Sequence, residues 1–179
     1  MTYQTQGIIL RQRDWKERDR LLTCYTKEFG KVLLKGKSTR KNQAKLKGHL
    51  ELFLNSYLMI APAKGFDIIT GAETVNSFPY LHNNLTSLSV AFYLSELIDK
   101  LLPEPESDNQ IWNLILSSFQ EINHKNSNLK TIVNNFENKL LEFLGYGNKQ
   151  KNNFDYIQSI LNKKINSRYF LQKEFDLLI

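Results

Sequence analysis

The chain has 179 residues, 41% apolar and 23% charged, with a formal net charge of +6; it is long enough to bury a core and too apolar to be a disordered tail. Its single cysteine, Cys24, excludes intramolecular disulfides and a cysteine-based zinc cluster, and no run approaches the roughly 18 consecutive apolar residues of a membrane span. Residues 1–78 carry 14 Lys+Arg against 7 Asp+Glu and residues 79–179 carry 10 against 11, so any affinity for polyanions belongs to the first half.

The polar opening at Thr2, Gln4 and Gln6 has no apolar signal-type stretch, which makes a cytoplasmic protein the expectation. Short alternating runs then predict five strands. Residues 3–13 form the first, with Ile8 and Leu10 on one face and Ile9 and Arg11 on the other. A polar turn spans 14–19, and the second strand covers 21–29 with Cys24 as a buried thiol. Gly30 closes a tight turn into the third, where Val32 and Leu34 alternate with Lys31, Leu33 and Lys35. Residues 40–47 are a loop or a short helix. The last two strands cover 51–61 and 66–75, joined around Pro62 and Gly65. Five strands with one longer connection between the third and fourth make an OB-type barrel, with a five-stranded SH3-like barrel as the alternative.

After Phe78-Pro79 the period changes to 3.6 and an all-α bundle is expected over 79–179, giving an α+β chain of two domains, 1–78 and 79–179. Leu85, Leu88, Ala91, Phe92, Leu94, Ile98 and Leu101 form a helical stripe that Pro103 and Pro105 end. Asp108 is placed to cap a second helix with Ile111, Trp112, Ile115, Phe119 and Ile122 inward. A third turns Leu129, Ile132, Val133, Phe136, Leu140, Phe143 and Leu144 inward and ends at Gly145, where a left-handed residue is wanted. Shorter helices over 156–165 and 167–178 finish the chain.

Catalytic chemistry has no foothold in this pattern. His49, His82 and His124 lack a second ligand at helical spacing. Glu104, Glu106 and Asp108 read as solvated charge in the helical half, away from any basic groove. Gly36-Lys37-Ser38 has the last letters of a phosphate loop, but Lys31 stands where its first glycine belongs. Neither Cys24 nor any serine sits in a nucleophile motif. A protein without enzymatic activity, metal or cofactor is the expectation.

Between Lys31 and Lys47 there are seven basic residues, Lys31, Lys35, Lys37, Arg40, Lys41, Lys45 and Lys47, and no acid. On an extended third strand Lys31, Lys35 and Lys37 project opposite Val32 and Leu34, and Arg40, Lys41, Lys45 and Lys47 continue that face. Arg11, Arg13, Arg18 and Arg20 line the adjacent edge. Such a one-sign surface fits a phosphate backbone; about five contacts to a single strand give log K against log[salt] a slope near −3.5. Tyr25, Phe53 and Tyr57 are candidates for stacking bases, against the plainer reading of strand aromatics as core.

These residues resemble the RecO family of recombination mediators. The resemblance runs in order through Gly7 to Arg11, Asp19 to Thr23, Phe29 to Val32, the basic stretch Lys35 to Lys47, Gly48 to Phe53, Ser77 to Pro79, Tyr93 to Glu104, and Phe136 to Tyr146, covering residues 3–147. It implies an N-terminal OB fold and a helical domain. It also implies a non-enzymatic role in recombinational repair: binding single- and double-stranded DNA, annealing complementary strands and, with RecR, helping RecA replace single-strand-binding protein (SSB). The helical domain is then the half that docks proteins, the SSB C-terminal tail among them, and the protein is nucleoid-associated. Two departures stand out. Many family members carry four zinc-binding cysteines after the Leu-Gly-Tyr segment, whereas Lys149 to Ile179 has none. The family's Lys-Gly-x-Arg falls on Lys35-Gly36-Lys37-Ser38, with Ser in place of Arg. A protein-interaction adaptor with a basic face and an RNA-binding OB protein remain as rival readings.

Overall fold

The computed structural model describes residues 2–40, 45–147, 152–161, 163–168 and 171. They divide into two units, residues 1–77 with 103–108, and residues 78–102 with 109–179.

The first unit is a closed barrel of β1 (Tyr3–Trp15), β2 (Asp19–Thr26), β3 (Gly30–Gly36), β4 (Asn55–Ala61) and β5 (Ile68–Asn76). The order is β1-β2-β3-β5-β4: β1 pairs antiparallel with both β2 and β4, and β3 meets β5 in parallel through Lys35↔Ile68 and Gly36↔Ile69. This is the OB arrangement, and it sets aside the SH3-like alternative. The core is Ile9, Leu22, Cys24, Leu34, Leu50, Leu58, Ile60 and Ile69, alternate residues of each strand with Leu50 as a plug. Burial pushes the Cys24 thiol up to about 12, so it is inert packing. Period 2 fails in several places: Leu21 to Thr26 of β2 are all buried, the β4–β5 register shifts twice, and β1 carries a bulge. A bulge between Ile9 and Arg11 inserts Leu10, so Ile8, Ile9 and Leu10 are all buried rather than alternating. The amide of Phe53 donates to the Ile9 carbonyl at 2.7 Å, and that of Ile9 to Leu54 at 3.1 Å. Residues 51–54 are therefore a turn against the bulge, and β4 starts at Asn55 instead of Glu51.

Gly30 opens β3 at φ +65°, and a Cβ there would sit 1.9 Å from the carbonyl oxygen of Glu106. Only glycine satisfies both demands. The strained backbone alone costs about 1–3 kcal/mol in any other residue. Gly30→Ala is expected to lower the thermal midpoint of the barrel and to expose the 103–108 segment to proteolysis. A wild-type melting curve and digestion pattern would contradict this close approach.

The second unit contains α1 (Pro79–Asn83), α2 (Leu85–Leu101), α3 (Asn109–Ile122), α4 (Leu129–Phe143) and α5 (Asn153–Leu161). The short α1 escapes periodicity. Proline occupies its first turn, and the Asn123 side chain accepts from the amides of Tyr80 (2.9 Å) and Leu81 (3.1 Å), a cap supplied from far along the chain. Asn84 caps α2 by accepting from Ser87 at 2.9 Å. On α2, Leu85 and Phe92 of the expected stripe are exposed, while Tyr93, Leu97, Ser87, Ser89 and Ser95 are buried. Small polar residues tolerate that burial where the hydroxyl finds a local carbonyl, as Ser89 does with Leu85 at 2.8 Å. The predicted faces of α3 and α4 are inward except for Leu129, Phe143 and Leu144, which are half-buried. Asn128 caps α4, and Gly145 at φ +79° ends it, with Tyr146 donating to Leu141 at 2.9 Å. The helix expected over 156–165 runs instead from Asn153 to Leu161. Of the one expected over 167–178, residues 167 and 168 are helical, 171 too, and the remainder lies outside the described residues.

Two carboxylates fasten residues 166–168 to this unit. Glu96 accepts from the amides of Asn166 (3.2 Å) and Ser167 (2.9 Å), from the Ser167 hydroxyl, and from Lys100 at 2.6 Å. Burial alone would raise its pKa, and these donors more than offset that, so Glu96 titrates below the ordinary range. Glu137, 2% exposed, accepts from the Tyr93 hydroxyl at 2.5 Å and from Arg168 at 3.1 Å. There burial wins over its partners and its pKa is raised. The Arg168 guanidinium also lies over the rings of Tyr93 (5.3 Å) and Phe154 (4.8 Å).

Candidate nucleic-acid interface

Three connections of the barrel converge at one end. Arg40 donates through its amide to the Arg18 carbonyl (3.2 Å) and through its guanidinium to the carbonyls of Lys16 (3.3 Å) and Glu17 (3.2 Å). The Ser38 amide donates to Asp19 Oδ1 at 2.8 Å. These bonds tie the β3–β4 connection to the β1–β2 turn, and both turns hold a left-handed non-glycine residue, Lys16 at φ +54° and Ser38 at φ +55°. Such conformations persist only where neighbours impose them, so the two turns are a built feature. The Trp15 ring, at the end of β1, meets the Phe66 ring of the β4–β5 connection at 5.6 Å.

The fold thus gathers Lys37 and Arg40 with Lys16, Arg18 and Arg20. On the outer face of the sheet, the pairs Arg13↔Leu21 and Leu21↔Lys35 place Arg13 and Lys35 in one cross-strand row, and Arg11 lies two residues further along β1. Lys45 is exposed, and Lys47 begins a short 3-10 turn, Lys47–His49, where His49 Nδ1 meets the Thr74 hydroxyl at 2.9 Å. Lys41 lies outside the described residues.

Lys31 departs from the expectation of a surface cation: it is 6% exposed. Residues 103–108 fold back onto the start of β3, and Glu104 and Pro105 line a cleft with Lys31, Tyr3 and Asp67. The acids read as solvated charge of the helical half thus belong to the barrel unit. Two stacking candidates are likewise overturned. Tyr25 is 1% exposed, and Phe53 is fully buried, held at φ +64° against the bulge. Burial, with the charges of Asp108 and Glu106 nearby, pushes the Tyr25 hydroxyl up to about 12. Tyr57 is 56% exposed but stands between Gln6 and Glu73, roughly 20 Å along β1 from Arg13 by strand rise.

The acid-free stretch in sequence is not acid-free in space. Asp14 lies 3.3 Å from Arg40 and 3.8 Å from Arg20, and Glu51 lies 3.7 Å from Arg20. These pairs are open to solvent, so each is worth about 0–1 kcal/mol, and incoming phosphate can exchange for the carboxylate. Asp14→Asn is therefore expected to raise single-strand affinity about two- to five-fold by removing a negative charge that both arginines share, while Arg20 keeps Glu51 and Arg40 its backbone carbonyls. A fluorescence-anisotropy titration measures it, and a fall in affinity would contradict the placement of the site. Lys16, Trp15 and Phe66 were not singled out from the sequence. The available signal was the pair Lys16 and Arg18, masked in the sequence by Asp14, Glu17 and Asp19 of the same turn.

Among the described residues no helix is long and apolar enough to cross a membrane, and no group of His, Cys, Asp or Glu side chains is placed to hold a metal ion.

The chain is 35% identical over 144 residues to a protein of Dehalococcoides mccartyi named DNA repair protein RecO, covering 80% of this chain and 56% of that one. It is 29% identical over 173 residues to the protein of that name from Clostridium kluyveri (97% and 65%), and 31% identical over 144 residues to that of Roseiflexus sp. (80% and 50%). The chain thus spans about half to two thirds of the length of these relatives. Residues 1–78 match the family described as Recombination protein O N terminal and residues 82–165 that described as Recombination protein O C terminal, so the chain belongs to the recombination protein O family.

Proposed function

We infer that this protein is a DNA-binding mediator of recombinational repair and that it acts without making or breaking covalent bonds. The convergence of Lys16, Arg18, Arg20, Lys37 and Arg40 at one end of an OB barrel is the observation that carries this reading, together with relatives named DNA repair protein. Annealing two strands requires only that two polyanions be held together while their repulsion is screened and their bases stay free to pair. Cations at the surface of the barrel do this for any sequence, and both single- and double-stranded DNA are substrates. The helical unit serves as the docking half, for RecR and for the SSB tail, with RecA loading as the downstream result. A cytoplasmic, nucleoid-associated location follows.

The test is an annealing assay with two complementary oligonucleotides over a salt series. Acceleration at low salt that fades as salt rises supports the reading. Absence of acceleration at every salt concentration rejects it.

A further inference from the structure

We propose that Trp15 and Phe66, with Arg13 above the indole, form the surface on which this barrel stacks a base of single-stranded DNA; the inference rests on the phosphate-binding role assigned to the same end of the barrel. Both rings are partly exposed, and neither belongs to the barrel core. They meet edge to face, 5.6 Å apart at 84°, and the Arg13 guanidinium lies 5.9 Å from the Trp15 centroid. An indole partly open to solvent and next to a guanidinium is a common design for holding a planar, electron-rich ring. It sits where an OB barrel presents ligands, between the β1–β2 and β4–β5 connections.

The charges around it favour a polyanion. Lys16 and Arg18 lie on the turn that follows Trp15, Lys35 shares Arg13's cross-strand row, and Lys64 precedes Phe66 by two residues. Asp67, the nearest acid on the Phe66 side, has its oxygens occupied by the Tyr3 hydroxyl (2.8 Å) and the Ala63 amide (3.1 Å). The β1–β2 turn and its flanking residues carry three acids: Asp14 lies 3.3 Å from Arg40 and 3.8 Å from Arg20, Asp19 accepts from the Ser38 amide at 2.8 Å, and Glu17 is the third. A strand whose phosphates lie along Lys16, Arg18 and Lys37 brings a base to the Trp15 ring, whereas paired bases in a duplex stay stacked on each other. Stacking here therefore gives the otherwise charge-driven interface a preference for single strands.

The experiment uses the full chain carrying Trp112→Phe, which leaves Trp15 as the one tryptophan. Two probes are titrated at equal salt, an oligothymidylate of about 16 nucleotides and an abasic deoxyribose-phosphate strand of the same length. Expected are quenching of Trp15 by the first probe alone and about tenfold tighter binding of it. A further Trp15→Leu substitution removes that advantage and leaves the abasic affinity unchanged, and Trp15→Phe restores part of it. Equal affinity of the two probes, or an equal loss for both in Trp15→Leu, overturns stacking while leaving the phosphate role intact. Failure of both probes to bind overturns both readings.

Discussion

Arg18→Glu, Lys37→Glu and Arg40→Glu combined in one chain are expected to weaken binding to single-stranded DNA by about two orders of magnitude at low salt and to flatten the slope of log K against log[salt] by about two units. The slope is the more informative number. Each lost phosphate contact on a single strand removes about 0.7 from it, whatever else the substitution does. All three side chains are exposed, so the barrel is expected to stay folded, with a thermal midpoint lowered modestly by the loss of the Arg40 bonds to the Lys16 and Glu17 carbonyls. Binding that is as tight and as salt-sensitive as wild type would place the DNA elsewhere on the molecule.

Glu137→Ala is expected to have the largest effect on stability, about 3–5 kcal/mol, because it leaves the Arg168 guanidinium buried without its counter-charge. Glu137→Gln keeps a hydrogen-bonding partner and is expected to cost less. The two carboxylates also give opposite pH limbs in equilibrium denaturation. Glu137 has a folded pKa raised above 4.5, so its favourable contribution is complete below that pH and fades as pH rises through the raised value. Glu96 has a depressed folded pKa, so its contribution is complete above pH 4.5 and is lost as pH falls through the lowered value. In Glu137→Gln the first limb disappears and the second stays; loss of both together would mean that the limbs do not belong to these residues.

Much of this fold is written in local periodicity. Leu22, Cys24, Leu58 and Ile60 alternate as inward strand positions do, and Ile115, Phe119 and Ile122 repeat as one helix face. Where a long-range contact decides, local pattern is silent. Nothing in Gly7 to Arg11 announces that Leu10 is an inserted residue, because the bulge exists only in relation to β2. Nothing in Pro103 to Asp108 says that this acidic segment returns to Gly30, although the glycine itself is a hint that another backbone comes close. The candidate interface has the same split. The basic character of residues 35–40 is visible in one dimension, but Asp14, the acid that tempers Arg40, arrives from another segment, as Glu51 does for Arg20. Tyr25 and Phe53 were candidates because strand aromatics have a face, and which face is covered is a property of the assembled unit.

DNA is expected to lie across the end of the barrel where the β1–β2, β3–β4 and β4–β5 connections meet. Photocrosslinking a single strand carrying a photoreactive thymidine analogue, followed by peptide mapping, locates it directly. Crosslinks concentrated in residues 13–20, 35–40 and 64–67 are the predicted result. Crosslinks centred instead on the exposed β4–β5 face at Tyr57, Met59 and Val75, or on the helical unit, would contradict it.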